Sequence, residues 1–176
     1  MENKTDNTTV RFLSKSKYLR GRQCIKNLYL DRYHNDLMDE IGETQQAIFS
    51  MGHTVGEYAQ QLFPGGEDAC NGNFRNIKGA VQQTKVLIEN GTEVIYEAAF
   101  EYRGNICYLD ILVKKEGKWF AYEVKGSTSV KKYYYDDTSF QYYVITNSGL
   151  PLEDICIIHV NSKYVRKGGY RHPSII

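Results

Sequence analysis

Apolar positions along the chain follow two rhythms, first helical and then alternating. Between residues 43 and 63, Ala47, Met51, Val55, Tyr58 and Leu62 recur at spacings of three and four, which predicts an amphipathic helix. Pro64-Gly65-Gly66 stops it. Upstream, Ser14 or Ser16 can cap a helix entering Tyr18 and Leu19. A second helical piece follows, with Cys24, Ile25, Leu28 and Tyr29 at helical spacing. Residues 76–90 give another helix, built on Val81, Val86, Leu87 and Ile88 and ended by Asn90-Gly91. Three close strands are then expected at 93–102, 105–114 and 118–125, punctuated by Arg103-Gly104 and Glu116-Gly117. A helix over about 136–147 and an apolar strand, Ile155 to Val160, complete the pattern. Helices, then an antiparallel meander, then a helix and a strand describe an α/β domain with a mixed central β-sheet flanked by helices. Residues 1–10 are polar and expected to fray, and no repeat or linker divides the 176 residues, so one domain is expected over 1–176.

Charge breaks this pattern in two places. Strict alternation in the second strand puts Ile106, Tyr108, Asp110 and Leu112 on one face and Cys107, Leu109, Ile111 and Val113 on the other. Both faces are apolar, as in an interior strand, and Asp110 is the exception. In the third strand Trp119, Ala121, Glu123 and Lys125 share a face, and Glu123 and Lys125 are the exceptions. If Glu116-Gly117 form a two-residue turn, Lys115 pairs with Lys118, Asp110 falls opposite Glu123, and Tyr108 falls opposite Lys125. Facing carboxylates in a half-buried site repel, and a hard divalent cation with oxygen ligands removes that cost. A bulge would shift the register by one and separate them. The plain alternative is a buried Asp–Lys ion pair with no chemistry.

Composition narrows the classes. About two-fifths of the residues are apolar and a quarter charged, as in a globular protein. No apolar run reaches the ~20 residues of a membrane helix, and the polar start lacks a signal-peptide core, so a cytoplasmic protein without a membrane partner is expected. The formal net charge is +1, which gives no global nucleic-acid footprint. Locally, Lys15, Lys17, Arg20, Arg22, Lys26 and Arg32 crowd the first helical stretch, and Lys125, Lys131 and Lys132 form a second group. These are either solvated faces or two basic walls for phosphates. Cys24, Cys70, Cys107 and Cys156 form no Cys-x-x-Cys pair, which argues against disulfides and an ordinary zinc site.

Asp110 followed by Glu123-Val124-Lys125 resembles the PD-(D/E)xK nuclease signature, with Leu109 where the first motif often has proline. Leu13-Ser14-Lys15-Ser16 with Cys24 to Leu30 resembles the N-terminal helix of that superfamily's RecB-like branch, which includes CRISPR-associated exonucleases. Gly52 to Glu57 resembles its Gly-x-x-x-His-Glu helix, the histidine falling on Gly56. Phe140-Gln141-Tyr142-Tyr143 resembles its glutamine helix, with Ile145 where a tyrosine often stands. The likeness runs from about residue 13 to 165 and is similar to uncharacterised bacterial members in which such a domain opens a longer protein.

The resemblance implies a restriction-endonuclease-like core and a Mg2+- or Mn2+-dependent deoxyribonuclease, an exonuclease on single strands or ends. Asp110, Glu123 and the Val124 carbonyl would hold one or two metal ions. Lys125 would hold the attacking water and Gln141 would orient the site. Glu57, Glu97 and His53 are weaker metal candidates, with a surface histidine and an edge charge as the plain readings of His53 and Glu97. Some relatives close an iron–sulfur cluster with one N-terminal and three C-terminal cysteines. This chain offers only Cys156 downstream, so no cluster is expected and Cys24 is read as a packed residue of the first helix. The alternative function is a degenerate nuclease-fold module that binds nucleic acid without cutting.

Overall fold

A computed structural model describes residues 12–40 and 42–165; the N-terminal stretch 1–10 and the ending 168–176 lie outside the described residues. Strand β1 (Leu13–Ser14) leads directly into α1 (Lys15–Gln23), then α2 (Ile25–Tyr33) and a short 3-10 turn (Asn35–Leu37). Helix α3 (Glu43–Gln60), β2 (Glu67–Asp68) and α4 (Ile77–Glu89) precede the meander β3 (Val94–Tyr102), β4 (Asn105–Lys115) and β5 (Lys118–Lys125). Helix α5 (Lys132–Asn147) and β6 (Leu152–His159) follow. Among the described residues six strands form one mixed sheet in the order β2-β3-β4-β5-β6, with β1 paired to β4, and five helices flank it.

Both hairpins of the meander turn on two residues with positive φ, Arg103-Gly104 and Glu116-Gly117. These are the mirror-image turns whose twist matches the strands they join. They set the registers Tyr102↔Asn105 and Lys115↔Lys118, the second as expected from the sequence. Parallel β6 lies outside β5, reached through α5 as a crossover helix.

Two cores sandwich the sheet. The larger holds Leu87 of α4, Ile95, Ala98, Phe100, Cys107, Leu109, Leu112, Trp119 and Ala121 of the strands, and Phe140, Val144 and Ile145 of α5. The smaller holds Ala59 of α3 with Ile111 and Val113, against Phe63, Tyr96, Tyr122 and Val124. Tyr18 stacks on Phe140 with ring centroids 4.7 Å apart, which fastens α1 to α5.

Several elements depart from the sequence reading. Helix α5 begins at Lys132 instead of 136, so three tyrosines form its first turn, and β6 begins at Leu152 instead of Ile155. The dipeptide strands β1 and β2 carry no periodicity and were not anticipated. In α3 only Ala59 is buried. Met51, placed on the buried stripe, is exposed, as are Ile48 and Phe49. Cys24 is also exposed, in the extended link between α1 and α2, and is not a packed helical residue. Among the described residues no helix is long and apolar enough to cross a membrane.

Candidate active site

Alternation along β4 does not run unbroken through Asp110. Leu109 and Leu112 lie in the same core although three residues apart, and so do Ile95 and Ala98 on β3. Both strands therefore change face at one step, at Asp110 and at Glu97. The β3–β4 register places these two residues opposite each other, between the pairs Tyr96↔Ile111 and Ala98↔Leu109. Glu97 takes a left-handed backbone, φ 51°, which costs an L-residue of this kind roughly 1–2 kcal/mol. The two-face alternation expected for 105–114 is thus corrected: Asp110 belongs to neither apolar face and sits at the crossing.

β5 leaves β4 at the same level. Their last pair is Ile111↔Tyr122, so Asp110 and Glu123 stand one step beyond it, and Tyr108 does not pair with Lys125. Asp110 reaches across the opening and accepts the Val124 N–H at 2.5 Å. The N–H and C=O of one strand residue face the same neighbour, so the Val124 carbonyl faces this opening as well. Farther along, the edge of β4 vacated by β5 is taken by β1, through Leu13↔Asn105 and Ser14↔Ile106. Ser14 then caps α1, and Lys15, the first residue of α1, drops into the wedge between β4 and β5.

There Lys15 Nζ donates to Glu123 Oε1 at 2.8 Å. Lys125 Nζ donates to the same oxygen at 2.7 Å and to Asp137 Oδ2 at 2.5 Å. Gln141 Nε2 donates to Glu123 Oε2 at 2.8 Å and to Asp137 Oδ1 at 3.0 Å. Lys15 also lies 3.7 Å from Asp137. Glu123 and Asp137 are 2% and 1% exposed, so this is a buried network of two anions, two cations and one amide. The Gln141 Oε1 is buried with no partner among the described residues.

The charges bias one another. Burial works against the Glu123 carboxylate, but Lys15 and Lys125 outweigh it and hold its pKa below the usual range. Burial likewise opposes both ammonium groups, and the carboxylates around them raise both pKa values. Asp110 is pushed up by burial and then by Glu123, against the pull of Lys15 and the Val124 N–H. Glu97 is pushed up to about 8 by burial, with Asp110 and Asp68 adding to it.

Asp110, Glu97 and Asp68 open onto a cavity of 380 Å³ walled on the other side by Gly52, His53, Gly56 and Glu57 of α3. His53 and Glu57 form an exposed i,i+4 pair at 3.6 Å. At Gly56, open space surrounds the position a Cβ would take. Glu97 lies on an interior strand, so the edge-charge reading does not hold for it. The cavity's oxygen donors suit a hard divalent cation. Among the described residues Glu123 keeps one free lone-pair site of its four, and the raised carboxylates would be relieved by positive charge. As they stand, no three His, Cys, Asp or Glu side chains among the described residues are gathered closely enough to hold an ion.

The structure therefore brings Asp110, Glu123, Val124, Lys125 and Gln141 together, and lines the adjoining cavity with Glu97, His53 and Glu57. Sequence reasoning missed two members. Asp137 precedes Gln141 by four residues, a helical spacing that puts both on one face, and that signal was present. Lys15, by its sequence surroundings, belongs to the basic first helical stretch and gives no signal of an inward role. As a basic wall that stretch is weaker than expected, because Arg20 pairs with Asp31 and Arg22 with Asp136, while Lys15 turns inward. The chain matches no known protein-family profile and no curated protein.

Proposed function

We propose that the protein is a divalent-metal-dependent nuclease that hydrolyses DNA phosphodiester bonds, acting as an exonuclease on single strands or ends. The observation that carries this reading is the convergence of Asp110, Glu123 and Lys125 where β4 and β5 part, beside an acid-lined cavity. Mg2+ or Mn2+ would be held by Asp110, Glu123 and the Val124 carbonyl, with Glu97 behind them, and would supply Lewis acidity and an acidified water. Lys125 holds its ammonium between Glu123 and Asp137, two residues along β5 from Glu123, and would there hydrogen-bond a water and meet charge developing on a phosphate. Gln141 fixes the second Glu123 oxygen, so that carboxylate cannot rotate away.

A second reading is favoured by one specific observation. Lys15 and Lys125 already neutralise Glu123 and Asp137, so the buried network is balanced without a metal. On that reading the domain binds nucleic acid without cutting it. End-labelled single- and double-stranded DNA incubated with Mn2+ or Mg2+, and in parallel with EDTA, separates the two. Metal-dependent shortening that disappears in EDTA and in Asp110→Ala is expected; tight binding without cutting in either metal would leave only the binding module.

A further inference from the structure

The two lysines on Glu123 are not equivalent in how they are held. Lys125 is bonded to Asp137 as well as to Glu123, and it lies over the Tyr134 ring at 5.1 Å. Among the described residues Lys15 has one hydrogen bond, to Glu123 Oε1, and a looser 3.7 Å approach to Asp137. It comes from the other end of the chain, directly after a strand of two residues, and its side chain keeps 23% of its surface in contact with solvent. The Lys125 side chain keeps a similar 18%, so what distinguishes Lys15 is its looser set of bonds and not its access to solvent.

We propose that Lys15 is a built-in counter-ion that competes with a divalent cation for Glu123 and, once displaced, turns its ammonium to the phosphate of the substrate. This rests on the metal-dependent reading of the site. Three of the four lone-pair positions of the Glu123 carboxylate are occupied, two of them on Oε1 by lysines. A divalent ion beside Oε1 meets two ammonium groups, and the weakly held one is the group that yields. A cation entering next to Asp110 and Glu123 thereby exchanges a protein charge for its own. The released lysine, on the first turn of α1, remains at the mouth of the wedge as a phosphate donor. Lys15 thus protects the metal-free site from its own carboxylate repulsion and becomes a substrate contact only when metal is present.

The test is calorimetric titration of the full chain with Mn2+ alone, comparing the parent with Lys15→Met, Lys15→Arg and Glu123→Gln. Lys15→Met, which keeps the length and loses the charge, should bind Mn2+ at least tenfold more tightly than the parent. Lys15→Arg should stay near the parent and Glu123→Gln should weaken. The second readout is the affinity for a short single-stranded oligonucleotide, measured on a Lys125→Ala background. Lys15→Met should lower that affinity in Mn2+ and leave it unchanged in EDTA, a dependence that a purely structural lysine would not produce. Equal or weaker Mn2+ binding by a folded Lys15→Met, or no binding by either protein, overturns the proposal. If Lys15→Met misfolds, a Lys15→Arg that binds Mn2+ more than tenfold away from the parent overturns it instead. Metal-dependent cutting by a parent whose Mn2+ affinity ignores Lys15 would remove this inference and leave the nuclease standing. Tighter Mn2+ binding by Lys15→Met without any cutting would do the reverse.

Discussion

Replacing Glu97 by glutamine should make the metal-free protein more stable at alkaline pH. In the folded state this carboxyl is pushed up to about 8 from an ordinary 4.5, by burial and by the Asp110 and Asp68 charges. The folded protein therefore keeps a proton that the unfolded chain gives up across the window from about 4.5 to 8. Stability falls as pH rises through that window and levels off above it. At ~1.36 kcal/mol per pKa unit the gap sets a ceiling of ~5 kcal/mol. Glu97 is only part-buried, and solvent screening reduces this to about 2–3 kcal/mol. Glutamine keeps the size and removes the charge, so urea unfolding in EDTA should show a gain of that order at pH 8.5 and almost none at pH 4.5. Added Mn2+ should shrink the gain, because a cation lowers the cost of the parent's charge. A Glu97→Gln protein no more stable than the parent at pH 8.5, or equally stabilised at both pH values, would refute the reasoning.

Three further outcomes follow from the site and the sheet. Glu123→Ala strips a carboxylate from two part-buried lysines that keep Asp137 as a partner, and should destabilise the fold by about 1–3 kcal/mol in urea titrations; no measurable loss would show that the network does not support the fold. Lys125→Ala should lower the cutting rate about 100- to 1000-fold while sparing most DNA binding, measured by single-turnover cleavage and anisotropy; equal losses in both would make Lys125 an ordinary phosphate contact. A maleimide should label exposed Cys24 in the native protein and reach Cys107 only on unfolding, since burial pushes the Cys107 thiol up to about 12; mass spectrometry showing equal labelling would contradict the interior position of β4.

The meander was legible because its signals are local. A two-residue turn at Glu116-Gly117 fixes Lys115 against Lys118, and every later pair follows by counting. The counting fails one step before the chemistry, at Asp110 and Glu123, where β5 departs and the alternation of β3 and β4 slips together. Nothing in Val-Ile-Tyr-Glu-Ala-Ala announces that Glu97 adopts a left-handed backbone, since that conformation is imposed by the packing on either side of it. Asp137 was within reach of a helical-spacing argument from Gln141. Lys15 was not, because its partner lies 108 residues along the chain and its position depends on a two-residue strand that no periodicity marks. In α3 an apolar stripe at spacings of three and four states which face could be buried, yet Met51 on that stripe is exposed and Ala59 alone is buried.

The shortness of β1 has a consequence for how the protein opens. Local unfolding free energies scale with the backbone bonds and apolar contacts a segment must give up. β1 offers two residues of pairing, with the Leu13 N–H on the Gly104 carbonyl at 2.7 Å, whereas β3, β4 and β5 are bonded along most of their lengths. Amide exchange at Leu13 therefore belongs to the lowest, most frequent opening of the sheet, and exchange at Ile111 to the highest. Each such opening lifts the segment that leads into Lys15 and leaves the carboxylate-bearing hairpin folded. The entry to the site is thus its most easily opened backbone, while the strands that carry Asp110 and Glu123 stay bonded.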